Sequence, residues 1–229
     1  MERKSLIAGG VVLASALLLG VGLVSIFLAI GDDNANLPDE GSLEDILGQQ
    51  AAVPFEVDES RHSGPPPVHI RVPEIAIDAD VVAMGLGDDR YPEVPDSGGD
   101  VAWYTFSAPP GLGSNAVFSG HVDWLYGDLA QQGVFYRLRE LAIGDEIIVE
   151  LEDGSKHQYR VTGNVAVDYN DPNVVQVMNP TDLDVVTLIT CGGSWVRDSG
   201  ALGGNYSHRV IVRAERVQGL ASGPASDDG

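Results

Sequence analysis

The chain has 229 residues, 44% of them hydrophobic and 21% charged, which leaves room for one medium-sized core with appendages. Thirty-four acids against thirteen lysines and arginines give a formal charge of -21, which repels a phosphate backbone and argues against a nucleic-acid partner. A single cysteine excludes an internal disulfide, so the fold must rest on apolar burial alone.

No charged residue occurs from Ser5 to Gly31. At about 1.5 Å per residue this stretch makes a helix of about 40 Å, longer than the roughly 30 Å hydrocarbon core of a bilayer and able to span it with tilt. Arg3 and Lys4 precede it, and Asp32, Asp33, Asp39 and Glu40 follow. The positive-inside bias puts the N-terminus in the cytoplasm and everything after residue 32 outside the cell. Leu28-Ala29-Ile30-Gly31 is a poor cleavage site, so the expectation is an uncleaved, single-pass membrane anchor over residues 1–31, with a cleaved signal peptide as the alternative.

Residues 32–67 read as an acidic, proline-rich extracellular linker. It has no lysine or arginine from Asp32 to Ser60, and Gly64-Pro65-Pro66-Pro67 closes it as a stiff spacer. Within it, Ser42 to Leu47 has the makings of a short helix, with Ser42 as its cap and acids in its first turn.

From residue 68 to 217, short alternating or apolar runs are separated by turn residues. Strands are predicted at His69 to Val72, Ile75 to Met84, Val101 to Phe106, Ala116 to Gly120, Glu146 to Leu151, His157 to Val167, Asp184 to Thr190 and Arg209 to Val217. Glu152-Asp153-Gly154-Ser155 between two alternating runs predicts a hairpin. Tyr126 to Leu141 has a weak helical pattern. With no internal repeat, about eight short strands point to an all-β fold, a closed antiparallel barrel with short helices. Residues 218–229 form a polar tail.

Cys191 ends the apolar run Val185 to Thr190 and precedes Gly192-Gly193, which predicts a thiol at a strand end released into a glycine turn. Inert burial is the competing reading of a lone cysteine. A cysteine nucleophile needs a base and a group that stabilises the oxyanion. Among the five histidines, His62 lies in the linker, and His69 and His157 sit near strand starts. His121, at the exit of Ala116 to Gly120, is preferred as the base, with His208 as its competitor. Arg209 opens a strand and supplies a permanent cation, whereas an exposed ion pair is its bland reading.

Thr187-Leu188-Ile189-Thr190-Cys191 resembles the Thr-Leu-x-Thr-Cys signature of sortases, the membrane-anchored cysteine transpeptidases of mainly Gram-positive bacteria. Asn115 to His121 looks like the family's histidine-bearing strand, and Arg209 falls where the family's arginine is expected. Val101-Ala102-Trp103-Tyr104 and Gly120-His121-Val122-Asp123 look most like the class F and class D groups. The resemblance spans residues 68–217 and implies an eight-stranded sortase-type barrel. It implies that Cys191 attacks the threonine carbonyl of a Leu-Pro-x-Thr-Gly-like sorting signal and forms a thioester. His121 would protonate the leaving amine and deprotonate the incoming one, and Arg209 would hold the substrate and its oxyanion. The implied partners are a sorting-signal peptide, an amine acceptor such as a cell-wall precursor or a pilin lysine, and the lipid bilayer. Water would make the enzyme a hydrolase.

Thr190, Asp123, Trp124 and Trp195 are secondary candidates for contact with substrate, against readings as strand former, solvated acid and packed aromatics. No cofactor is required. Calcium is a minor candidate at Asp168-Tyr169-Asn170-Asp171, although the spacing is not an EF-hand loop. Val53-Pro54-Phe55 lacks the acid of the Asp-Pro-aromatic plug seen in pilus-type lids. A membrane-tethered, non-catalytic β-barrel that binds or displays a partner is the alternative function. Other cell-wall Cys-His peptidases place the cysteine before the histidine or use a Ser-His-Gly-Cys run, and neither occurs here.

Overall fold

The computed structural model describes residues 37–48, 63–88, 90–126, 129–197 and 204–217. The apolar run from Ser5 to Gly31, the Val53-Pro54-Phe55 fragment and the 218–229 tail lie outside them. Among the described residues, no helix is long and apolar enough to cross a membrane.

Eleven strands and one α-helix are present among the described residues. In chain order they are β1 (Asp39–Glu40), α1 (Leu43–Leu47), β2 (Pro67–Val72), β3 (Ile77–Met84), β4 (Val101–Tyr104), β5 (Asn115–Ser119), β6 (Asp123–Tyr126), β7 (Leu129–Gln132), β8 (Glu146–Leu151), β9 (Lys156–Asp168), β10 (Val185–Arg197) and β11 (Gly204–Arg216). Pairing runs β9-β11-β10-β5-β4-β3-β2-β8, and β8 pairs back to β9, so eight strands close into a barrel. The short β1 adds to β9, and β6–β7 is a separate hairpin.

Three expectations are corrected. The barrel is not wholly antiparallel, because β10 pairs parallel with β5 and β3 pairs parallel with β4. Parallel neighbours need long crossovers, and the connection from β5 to β10 runs through β6 to β9. The run Val185 to Thr190 is buried on both faces, which suits a strand with a parallel neighbour. Next, Cys191 does not end its strand. β10 continues to Arg197 because Trp195 and Val196 still pair with β11, and Gly192-Gly193 forms a bulge with Gly193 at φ 77° instead of a turn. Finally, Tyr126 to Leu141 is not helical: it holds β7 and a 3-10 turn, Leu138–Glu140. Gly133 and the exposed polar face of β7 break the helical period there.

Strand alternation produces two cores. Ile70, Ala79, Val101, Phe118, Ile147, Tyr159, Leu188 and Val212 come from all eight barrel strands and fill the interior. Val117, Val165, Ile189 and Ile211 face outward on β5, β9, β10 and β11, where Ile46 of α1 and Val177 of the 3-10 turn Val174–Met178 cover them. Ser42 caps α1 reciprocally, accepting from Asp45 N at 3.1 Å while Asp45 Oδ2 accepts from Ser42 N at 3.0 Å. Ile46 is only 3% exposed, so this helix docks on the barrel.

Candidate active site

Sheet register assembles the candidate residues. On β10, Cys191 lies directly opposite Arg209 of β11. On the other side, the parallel pair Ile189 and Ser119 sets β5 level with β10. Beyond that pair, Gly120 N donates to Ile189 O at 3.3 Å, and Thr190 Oγ1 donates to Gly120 O at 2.8 Å. His121 is therefore two residues past Ser119 as Cys191 is two past Ile189. His121, Cys191 and Arg209 leave three neighbouring strands at one level, with strands spaced about 4.8 Å apart.

His121 is held from outside the sheet. Its Nε2 lies 2.8 Å from the buried Pro95 carbonyl, and its ring centroid is 4.9 Å from that of Trp124. A carbonyl only accepts, so Nε2 carries the hydrogen and Nδ1 is left with the lone pair. His121 O also accepts from Phe135 N at 2.9 Å.

Arg209 is drawn back along its own hairpin. Nη1 donates to His208 O at 3.0 Å and to Tyr206 O at 3.3 Å, Nη2 donates to Asn205 Oδ1 at 3.1 Å, and the guanidinium lies 5.7 Å from the Tyr169 ring centroid. His208 is the residue opposite Gly192, so alternation turns it to the other face of the sheet from Cys191. There its Nδ1 lies 2.8 Å from Ser207 Oγ.

Cys191 is half-buried and unpaired with any other sulfur. Burial pushes its thiol above the ordinary range; the Arg209 charge pulls it down in part, and the Asp123 carboxylate adds to the rise. A thiol raised in this way is protonated near neutral pH and would need a base before it could act as a nucleophile. A narrow cavity of about 10 Å³, room for about one water, is lined by Cys191 together with Leu37, Phe135, Tyr136, Thr190 and Val210.

The secondary candidates separate in position. Thr190 is 4% exposed and its hydroxyl is spent on Gly120, so it clips the two strands together. Asp123 accepts from the Tyr206 hydroxyl at 2.5 Å, which ties β6 to the β10–β11 hairpin. Trp195, 48% exposed, meets Tyr206 edge-on at 5.3 Å and stands away from the barrel wall. Trp124 packs on His121. Tyr206, Pro95 and Leu37 join the site without a motif to announce them. Of these, only Tyr206 left a signal, as the aromatic facing Trp195 across a hairpin.

Among the described residues, no three His, Cys, Asp or Glu side chains are grouped to hold a metal ion. Asp168 and Asp171 each spend an oxygen on a turn, accepting from Asn170 N and Asn173 N at 2.8 Å.

Comparison with known proteins was made at the level of family models, solved structures and curated sequences. The model of the Sortase domain matches residues 70–217. Among solved structures, sortase A from Corynebacterium diphtheriae in a lid-mutant form is 23% identical, covering 70% of this chain and 75% of that one at a TM-score of 0.47. A Clostridium perfringens sortase D5 transpeptidase is 20% identical, covering 67% and 79% at 0.45. A lid mutant of Streptococcus agalactiae sortase C1 is 21% identical, covering 78% and 84% at 0.48. The comparison with curated proteins finds no match.

Proposed function

The chain belongs to the sortase family, and on that premise we propose that it is a membrane-anchored cysteine transpeptidase acting through Cys191, His121 and Arg209. The observation that carries this reading is the register: Cys191 faces Arg209 across β10–β11, and His121 leaves β5 beside them.

Cys191 attacks the threonine carbonyl of a Leu-Pro-x-Thr-Gly-like sorting signal. Because burial keeps the thiol protonated at rest, its proton passes to His121 Nδ1 as the C–S bond forms. Nε2 keeps its hydrogen bond to Pro95 O in either charge state, so the ring need not turn between steps. Arg209 contributes the donors its hairpin leaves free to the oxyanion, and its charge lowers the cost of forming the thiolate. Collapse expels the glycine amine, which takes the proton from His121, and leaves a thioester. An amine, from a cell-wall precursor or a pilin lysine, then resolves it; water in its place gives hydrolysis. The catalytic domain works outside the cell, with the N-terminus in the cytoplasm.

The test is to incubate the purified full-length protein with a panel of Leu-Pro-x-Thr-Gly-type peptides and triglycine, and to identify products by mass spectrometry. Cleavage after threonine and a triglycine adduct are expected. Cys191→Ala should abolish both, and His121→Ala or Arg209→Ala should lower kcat/KM by about a hundredfold or more. Equal product yields from Cys191→Ala would reject the mechanism, and no product from any peptide of the panel would leave the non-catalytic tethered barrel.

A further inference from the structure

A groove lined by Trp124 lies near His121, on which that ring packs. It has a volume of about 590 Å³ and lies between the β2–β3 connection, the Ser97–Gly99 loop and the β6–β7 hairpin. That volume lies within the roughly 300–1,000 Å³ common for ligand sites. We propose that this groove receives the amine acceptor, specifically an unhindered primary amine carried on a polar peptide chain. The proposal rests on the transpeptidase reading and adds to it where the second substrate binds.

Position is the first argument. Trp124 lines the groove and packs on His121. At Gly133 the wall is one backbone thick, since a β-carbon there would collide with the His121 carbonyl. Tyr136 lines both this groove and the narrow cavity beside Cys191. The groove thus lies on the histidine side of the proposed centre, where a reaction that exchanges amines on a held acyl group needs its second substrate.

Chemistry is the second argument. The walls present the side-chain amides of Gln131 and Gln132, the Ser97 hydroxyl and the rings of Trp124 and Tyr136. The charged lining groups are already matched: Arg137 with Glu140 at 2.7 Å, and Asp78 with His69 and Arg71. Such a surface bonds amide groups and stacks on flat or ring faces, and offers nothing to a polyanion. The surrounding charge of -21 draws an ammonium group toward the mouth. At the centre the neutral amine's lone pair forms the C–N bond as the C–S bond breaks. The electron pair returns to Cys191 Sγ, and the proton lost by nitrogen passes to His121 Nδ1.

The experiment separates the two half-reactions on the full-length protein. Gln131→Trp fills the groove from the hairpin wall, opposite Trp124 in the β6–β7 register, and Ser97→Trp fills it from the loop. Thioester formation and its release by hydroxylamine, too small to need the groove, should stay within about twofold of wild type. The KM for triglycine, for a lysine-containing peptide, or for both should rise at least about tenfold, with products shifting toward hydrolysis. The arm that rises tells an N-terminal amine from a lysine side chain. If only one variant loses acylation, the other decides. Unchanged amine KM in the deciding variants, or loss of acylation in both, would overturn the proposal; a wild-type protein that forms no thioester would instead sink the transpeptidase reading.

Discussion

At the scale of single residues the central quantity is the proton on Cys191. Three causes act on it with known signs: burial and the Asp123 carboxylate raise the thiol, and Arg209 lowers it. Removing the lowering charge in Arg209→Gln should move the alkylation profile to higher pH, so that iodoacetamide labelling at a fixed neutral pH slows. Asp123→Asn should move it the other way. Shifts of the same sign in both variants would show that the two charges do not act on the sulfur as the geometry requires. Asp123 is also tied to Tyr206, whose carbonyl accepts from Arg209. The β10–β11 hairpin therefore places both charges at once. The linear sequence marked His121, Cys191 and Arg209, because each sits beside an apolar run that had to be a strand. Pro95 and Leu37 reach the site from a loop and an N-terminal segment, where no periodicity predicts where a group will land, and Tyr206 reaches it from the start of β11, marked only by its pairing with Trp195.

Among elements, the N-terminal segment is the one whose behaviour local propensity could not settle. A five-residue helix is far too short to persist alone. α1 is held by Ile46, which is buried against the outer core, and β1 adds hydrogen bonds: Ala166 N donates to Pro38 O at 3.2 Å, and Ile143 N to Glu40 Oε2 at 2.8 Å. Leu37 then reaches the cavity beside Cys191. Ile46→Ala removes the anchor, a truncation that costs about 2–5 kcal/mol at a buried site. Amide exchange at Ala166 and Ile143 should accelerate by at least about tenfold while amides of β5 and β10 keep their protection. Unchanged exchange at those two amides would mean that the segment is held by something other than Ile46. Strand positions were legible because alternation survives in most of them. Their partners were not: the parallel pairing of β5 with β10 joins segments about seventy residues apart, and neither segment alone encodes its neighbour.

The molecule as a whole is a closed eight-stranded barrel whose proposed reaction centre lies where β5, β10 and β11 run side by side. Closure leaves β8 paired with β9, so the long β9–β11 and β10–β11 ladders are fixed in register, and Cys191 cannot slide past Arg209 without turning Ile189 and Ile211 off their core. The barrel class was legible from the number and spacing of the runs, whereas the continuation of β10 past its glycines was not, since a glycine pair reads equally as turn or bulge until its partner strand is known. The central claim is that this register makes Cys191 the acyl carrier. It is tested most directly by the intact mass of the full-length protein after brief mixing with a Leu-Pro-x-Thr-Gly-type peptide and no amine. The account predicts an adduct equal to the fragment ending in threonine, released by hydroxylamine and missing from Cys191→Ala; no adduct with any peptide of the panel, or the same adduct on Cys191→Ala, would contradict it.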